Sequence, residues 1–177
     1  STQGVSSAAS DVYKRQTVGD MSDENPTIED PELGTLTRAT TELTDGTVLT
    51  HDWYAGGTVI NGEPLDLMIE GTDADEAAAL LPHVHETIAA LGVLRRLATD
   101  AVVAAFSNVT PEQHELDDAA SDLSLETLEA SADGTVVLHL IDTCGQHFPE
   151  GYWPAVHLGT DCLLYTSDAA DDTPCVD

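Results

Sequence analysis

The chain has 177 residues, and 33 Asp and Glu against 5 Lys and Arg give a formal net charge of −28 at pH 7. Such a surface excludes nucleic acid and anionic membrane as partners, because phosphate backbones and acidic lipids repel it. No apolar run is long enough to span a bilayer and no secretory pattern is present, so a cytoplasmic location is expected.

The two ends read differently from the middle. Ser6 to Gln16, SSAASDVYKRQ, resembles the translation of a transposon-type sequencing adapter. The tail from Cys162, CLLYTSDAADDTPCVD, resembles the same adapter read from the opposite strand. The genetic code tests the relation. A back-translation of residues 1–16, reverse-complemented and read in a shifted frame, returns Cys162 to Val176 and allows Asp177. The resemblance implies that residues 1–16 and 162–177 are adapter-derived and do no structural or functional work, although Leu163, Leu164 and Tyr165, coming directly after a strand, are placed to extend it by accident. It also implies a native C-terminus cut off near Asp161, and Met21 reads as the native start.

The remaining stretch, 17–161, holds 28 Asp and Glu against Arg38, Arg95 and Arg96 and no lysine, hence a net charge of −25. A solubilising coat is the plainer reading of that charge. The sharper one is a protein partner with a basic face, found by electrostatic steering. Cys144 is the one cysteine left, so no disulfide framework is available and a reduced compartment fits. About 140 residues suffice to bury roughly two thirds of the unfolded surface in one domain.

In chain order, residues 17–32 are acidic and polar and are expected to be disordered; the domain spans 33–161. Leu33 to Thr41 alternates as a strand. Asp45-Gly46 marks a turn, and residues 47–54, TVLTHDWY, form a second strand. Gly56-Gly57 suggests a bend or bulge. Thr58 to Ile60 continues, Asn61-Gly62 is a hairpin turn, and Leu65 to Ile69 returns.

Helices follow. Thr72 is placed as a cap, with Asp73, Asp75 and Glu76 in the first turn. Ala77, Leu80, Leu81, Val84, Ile88 and Leu91 draw one apolar stripe. Pro82 should kink or divide that helix, and Gly92 should break it. A second helix puts Val93, Leu94, Leu97, Ala98, Ala101, Val102, Ala105 and Phe106 on its buried side. Thr110-Pro111-Glu112-Gln113 starts a third, acidic helix ending near Ser121. Leu125 to Ser131 and Thr135 to Asp142 are strands about an Asp133-Gly134 turn. Cys144 to Gly151 is a loop, and Tyr152 to Leu158 a last strand. Strands, then helices, then strands predict an α+β fold: an antiparallel sheet with two to three helices on one side.

His139, Cys144, His147 and His157 are the one set with metal-ligand chemistry, since zinc takes such nitrogen and sulfur donors. They form no paired motif, and no metal site or cofactor is expected. His83 and His85 point about 200° apart on a helix and cannot share an ion. Cys144 with His147 lacks an orienting third group or oxyanion donor, and no phosphate loop or dinucleotide fingerprint is present. Trp53, Tyr54, Tyr152 and Trp153 are the aromatics that would make a binding patch if they reached the surface together.

The run of LGTLT, WYAGGTVINGEPLDLMIEG, a helical pair, LSLETLEASADGTVVLHL and GYWPAVHLG is similar to small acidic proteins of uncharacterised families from high-GC bacteria. That resemblance is one of pattern and transfers no residue roles. Two functions follow as expectations. One is a non-enzymatic acidic interaction or accessory module. The other is a metal-dependent enzyme using the Cys144–His147 region, which convergence of the four His and Cys side chains would favour.

Overall fold

The computed structural model describes residues 26–149 and 152–159, together with the backbone of residues 165–168. Turn chemistry sets the strands. A tight turn returns β1 (Ile28–Asp30) onto the start of β2 (Gly34–Glu42). Gly46, at φ 86°, turns the chain into β3 (Val48–Ile60). Asn61 at φ 54° and Gly62 at φ 86° form the hairpin into β4 (Glu63–Glu70), a geometry that asparagine and glycine tolerate best. Three helices follow: α1 (Ala74–Ala89), α2 (Leu91–Phe106) and α3 (Gln113–Asp122). The chain returns through β5 (Leu123–Ala130) and β6 (Val136–Asp142), joined at Gly134, then β7 (Pro154–Leu158) and β8 (Tyr165–Asp168).

Strand order in the sheet follows chain order. Neighbours are antiparallel except at the centre, where β4 and β5 run parallel with Leu67 opposite Leu128. The reason is the connection. A helical crossover lies between these two strands, whereas β2–β3, β3–β4 and β5–β6 are joined by tight turns. The fold is α+β, mostly antiparallel, with the helices packed against the sheet.

One face of the sheet is the core. Leu67, Leu128, Leu138 and Val156 lie abreast across four strands and join one apolar cluster with Val84, Ala98 and Val102 of the helices. In β5 alternation alone would not do this. A register shift between Leu125 and Thr127 absorbs one residue, so Leu125 and Leu128 both reach the core while Glu126 stays exposed. Gly56 is required where β3 meets β2: a Cβ there would lie 2.5 Å from Leu36 Cδ2 and 2.9 Å from the Thr35 carbonyl.

Several expectations are corrected. Residues 17–32 were expected to be disordered, yet Ile28 is buried in β1 because its side chain completes the core beside Leu33 and Leu36; residues 17–25 lie outside the described residues. Pro82 neither divides nor ends α1, since Ala77, Leu81 and Val84 anchor both halves to one core while Pro82 faces solvent. The break comes at Ala90, two residues before Gly92. Asp73, not Thr72, caps α1 by accepting the Glu76 N–H at 2.9 Å. In α3 the cap is Glu112, whose N–H donates to Glu115 Oε2 at 2.7 Å.

The buried side of α2 is narrower than expected. Leu91, Ala98 and Val102 are buried, but Val93, Leu97, Ala105 and Phe106 are exposed. The helix carries two apolar stripes, and the sheet covers one. Gly56-Gly57 is no bend, because β3 runs through it as one strand; the register shift falls between Arg38 and Thr40 of the partner strand. In the tail, Tyr165–Asp168 pairs antiparallel with β7. Without it β7 would present an open edge, whose unpaired backbone groups are a template for an extended segment. Residues 1–16 lie outside the described residues.

Candidate functional site

The loop after β6 is built around one carboxylate. Asp142 Oδ1 accepts the N–H of Cys144 at 3.2 Å, the N–H of Gly145 at 3.1 Å and the Cys144 thiol at 3.1 Å. Its Oδ2 accepts the N–H of His147 at 2.7 Å and of Phe148 at 3.2 Å. Burial raises the Asp142 carboxyl, but the thiol and these backbone donors outweigh it and hold it down at about 2. The same bond acts in reverse on Cys144: donation to Asp142 pushes the thiol up from its ordinary value, so it stays protonated at neutral pH and is a poor nucleophile.

Asp122, at the end of α3, ties this loop to the helix. Its carbonyl accepts the Thr143 N–H at 2.9 Å and hydroxyl at 2.7 Å. Its carboxylate bonds to His147 Nε2 at 2.8 Å. The donor atoms of Asp122, Cys144 and His147 all lie within 4.8 Å of one another.

The four expected donors do not converge. Cys144 and His147 meet at this loop, but His139 sits mid-strand on β6, about 10 Å back from Asp142 by strand rise. It bonds instead to Glu129 across β5 at 3.0 Å. His157, on β7, is paired in register with Val137 and lies near enough to Glu129 to help lower its carboxyl. The hydrogen bond to His139 chiefly lowers the Glu129 carboxyl, against the burial that raises it. Alternation explains the separation: His139 and His157 face the side of the sheet away from the helices.

On that face Trp53 stacks on His51, with ring centroids 4.4 Å apart. A shallow hollow beside them is lined by Trp53, Met68, Glu70 and Glu129. The four watched aromatics do not form one patch. Tyr54 is fully buried in the core. Tyr152 packs with Phe148 and Phe106, at 5.3 and 5.8 Å between centroids, and Trp153 is exposed beside it. Four strand spacings, about 19 Å, separate Trp53 on β3 from β7.

Sequence reasoning missed three residues that organise the surface. Asp142 had a local signal, since Asp three residues before Gly145 favours a turn closed by the Asp side chain. Asp122 had none, because it reaches His147 only through the fold. Arg38 is the third. Its side chain is 9% exposed, pairs with Asp52 at 2.8 Å, lies over the Tyr54 ring and donates to the His51 and Thr72 carbonyls. A further acidic clamp joins α1 to the β1–β2 turn, where His85 contacts Asp30 at 2.8 Å and Glu32 at 3.1 Å. His83 reaches the Gly134 carbonyl instead.

No protein family, no curated protein and no solved structure matches the chain. Among the described residues no helix is long and apolar enough to cross a membrane.

Proposed function

We propose that this chain is a non-enzymatic, cytoplasmic interaction module that docks a protein with a basic face. The observation that carries the reading is the fate of its arginines. Arg38 pairs with Asp52, Arg95 with Glu63 at 2.7 Å, and Arg96 with Asp100 and Asp117 at 3.0 and 2.7 Å. These are all the Lys and Arg between residues 17 and 161. Every one is paired with a carboxylate, and the surplus charge of this stretch is acidic. Such a surplus speeds encounter with a cationic partner and repels anionic ones.

The docking surface is assigned to the start of α3 and the turn before it. Glu112, Glu115 and Asp118 are exposed there, next in chain to exposed Phe106 and Val109. An apolar centre beside carboxylates suits a basic amphipathic segment, with the charges setting orientation and the apolar contact holding it. Dispersal of His139 and His157 from Cys144 and His147 supports this reading over the metal-dependent enzyme. Residues 1–16 and 162–177 are assigned no part in it.

The test is calorimetric binding of a cationic amphipathic peptide to the full chain at two salt concentrations. Affinity should fall steeply with salt, and by about tenfold or more in a Glu112→Gln, Glu115→Gln, Asp118→Asn variant. Glutamine keeps the acceptor that caps α3, so the helix should persist. Binding that ignores salt, or a variant that binds as tightly as the parent, rejects the reading.

A further inference from the structure

We propose that Asp122, Cys144 and His147 form a binding site for a divalent transition-metal ion of the zinc class. The proposal is independent of the basic-partner reading. It starts from donor chemistry. One thiol sulfur, one imidazole nitrogen and one carboxylate oxygen are the ligand types that borderline-soft ions select. The sulfur is the discriminating donor, because calcium and magnesium demand oxygen and would find one ligand of three.

Geometry supplies the rest. Ligand bonds of about 2.0–2.3 Å at tetrahedral angles put neighbouring donors about 3.4–3.6 Å apart. The three donor atoms here already lie within 4.8 Å of one another. His147 Nε2 and Asp122 Oδ2, now 2.8 Å apart, need only part slightly to admit an ion. Cys144 and His147 come from one short loop and Asp122 from the end of α3, so the ion would bridge two elements.

Asp142 is the positioning residue. Its carboxylate holds the backbone N–H groups of Cys144, Gly145, His147 and Phe148, which sets where both loop donors emerge. On binding, the Cys144 thiol releases its proton to solvent and the sulfur–Asp142 hydrogen bond gives way to a sulfur–metal bond. The carboxylate keeps its backbone donors. Three protein ligands leave a fourth position for water, and the bound ion would pin the loop to α3.

Cobalt(II) is the probe, titrated into the full chain carrying Cys162→Ser and Cys175→Ser so that Cys144 is the sole thiol. Moderate salt and excess magnesium suppress diffuse binding to the acidic surface. A thiolate-to-cobalt absorption band should rise to saturation at one ion per chain, and zinc should displace it. Cys144→Ser should abolish the band. His147→Ala and Asp122→Asn should each weaken binding more than about tenfold, since losing even an outer-shell partner costs that much. His139→Ala should change nothing. With all three ligands intact, zinc should also slow alkylation of Cys144, a readout that needs no ligand variant to fold. Absence of the band, equal affinity in His147→Ala and Asp122→Asn, or alkylation unaffected by saturating zinc would overturn the proposal.

Discussion

The two faces of the sheet share the same strands and differ in everything else. On the helix side, Leu67, Leu128, Leu138 and Val156 run abreast in one apolar row. One residue along, on the other side, the corresponding row is Met68, Glu129, Val137 and His157. Val137 and Ala155 are buried there without belonging to the main cluster. The first row tolerates no charge because the helices exclude water from it. The second holds a hydrogen-bonded carboxylate and imidazole, Glu129 with His139, because solvent reaches it. The helix side therefore carries the main apolar core, while the other side admits charged groups beside the buried Val137 and Ala155.

The sharpest way to break this comparison is to cut adjacent residues on opposite faces. Leu128→Ala, at a fully buried position, should cost about 2–5 kcal/mol in chemical denaturation. Glu129→Ala beside it should cost no more than about 1 kcal/mol. Equal losses would mean that both faces are core.

A smaller effect is expected at Gly56, where the added methyl of Gly56→Ala meets the Thr35 carbonyl and Leu36. The backbone carbonyl cannot move aside as a side chain can, and a loss of about 1–3 kcal/mol follows. An unchanged melting temperature would show that β2 and β3 separate there without cost.

His85 makes the helix side pH-sensitive. The Asp30 hydrogen bond chiefly raises the His85 pKa, against the burial that lowers it. Burial raises the Asp30 carboxyl, but the Leu33 N–H, His85 and the Glu32 N–H outweigh it and lower the group. A raised histidine contributes stability below its unfolded pKa of about 6.5 and loses it as pH climbs through the folded value. A lowered aspartate contributes above its unfolded pKa of about 3.9 and loses it as pH falls through the folded value. The gap between the parent and His85→Ala should thus be widest at about pH 4 to 6.5 and close on either side, at no more than about 1 kcal/mol. A gap that grows above pH 8 would contradict the sign.

Tyr54 refines the rule that the covered face is apolar. Among the described residues its buried hydroxyl has no hydrogen-bond partner. Removing it in Tyr54→Phe should be neutral or stabilising by up to about 1 kcal/mol, because an unsatisfied buried group carries its desolvation cost. Destabilisation beyond about 1 kcal/mol would show that the hydroxyl is satisfied.

The smallest change is expected from Glu129→Gln, which keeps shape and hydrogen-bonding capacity on the open face. The lowered pKa of Glu129 means its contribution exists above about pH 4.3 and fades as pH falls. The variant should match the parent in acid and trail it at neutral pH by less than about 1 kcal/mol.

The sequence by itself determined the turns, most of the strands and the fold class, though not β1. Asp45-Gly46, Asn61-Gly62 and Asp133-Gly134 dictate hairpins because few other residue pairs tolerate their backbone angles, and Gly46, Gly62 and Gly134 all adopt positive φ. The α1 stripe was legible for the same local reason: Ala77, Leu81 and Val84 repeat at helical spacing and are buried. Tertiary structure decided what periodicity leaves open. In α2 two apolar stripes compete, and only the position of the sheet chose Leu91, Ala98 and Val102 over Val93 and Leu97. In β5 the register shift after Leu125 changes which residues face inward, and no single-strand pattern announces it. The donor set changed in the same way. Cys144 and His147 were visible together because they share a loop, whereas Asp122 joins them from 25 positions before His147. His139 was drawn away because a strand alternates sides at every residue, and its parity places it on the open face opposite Thr127.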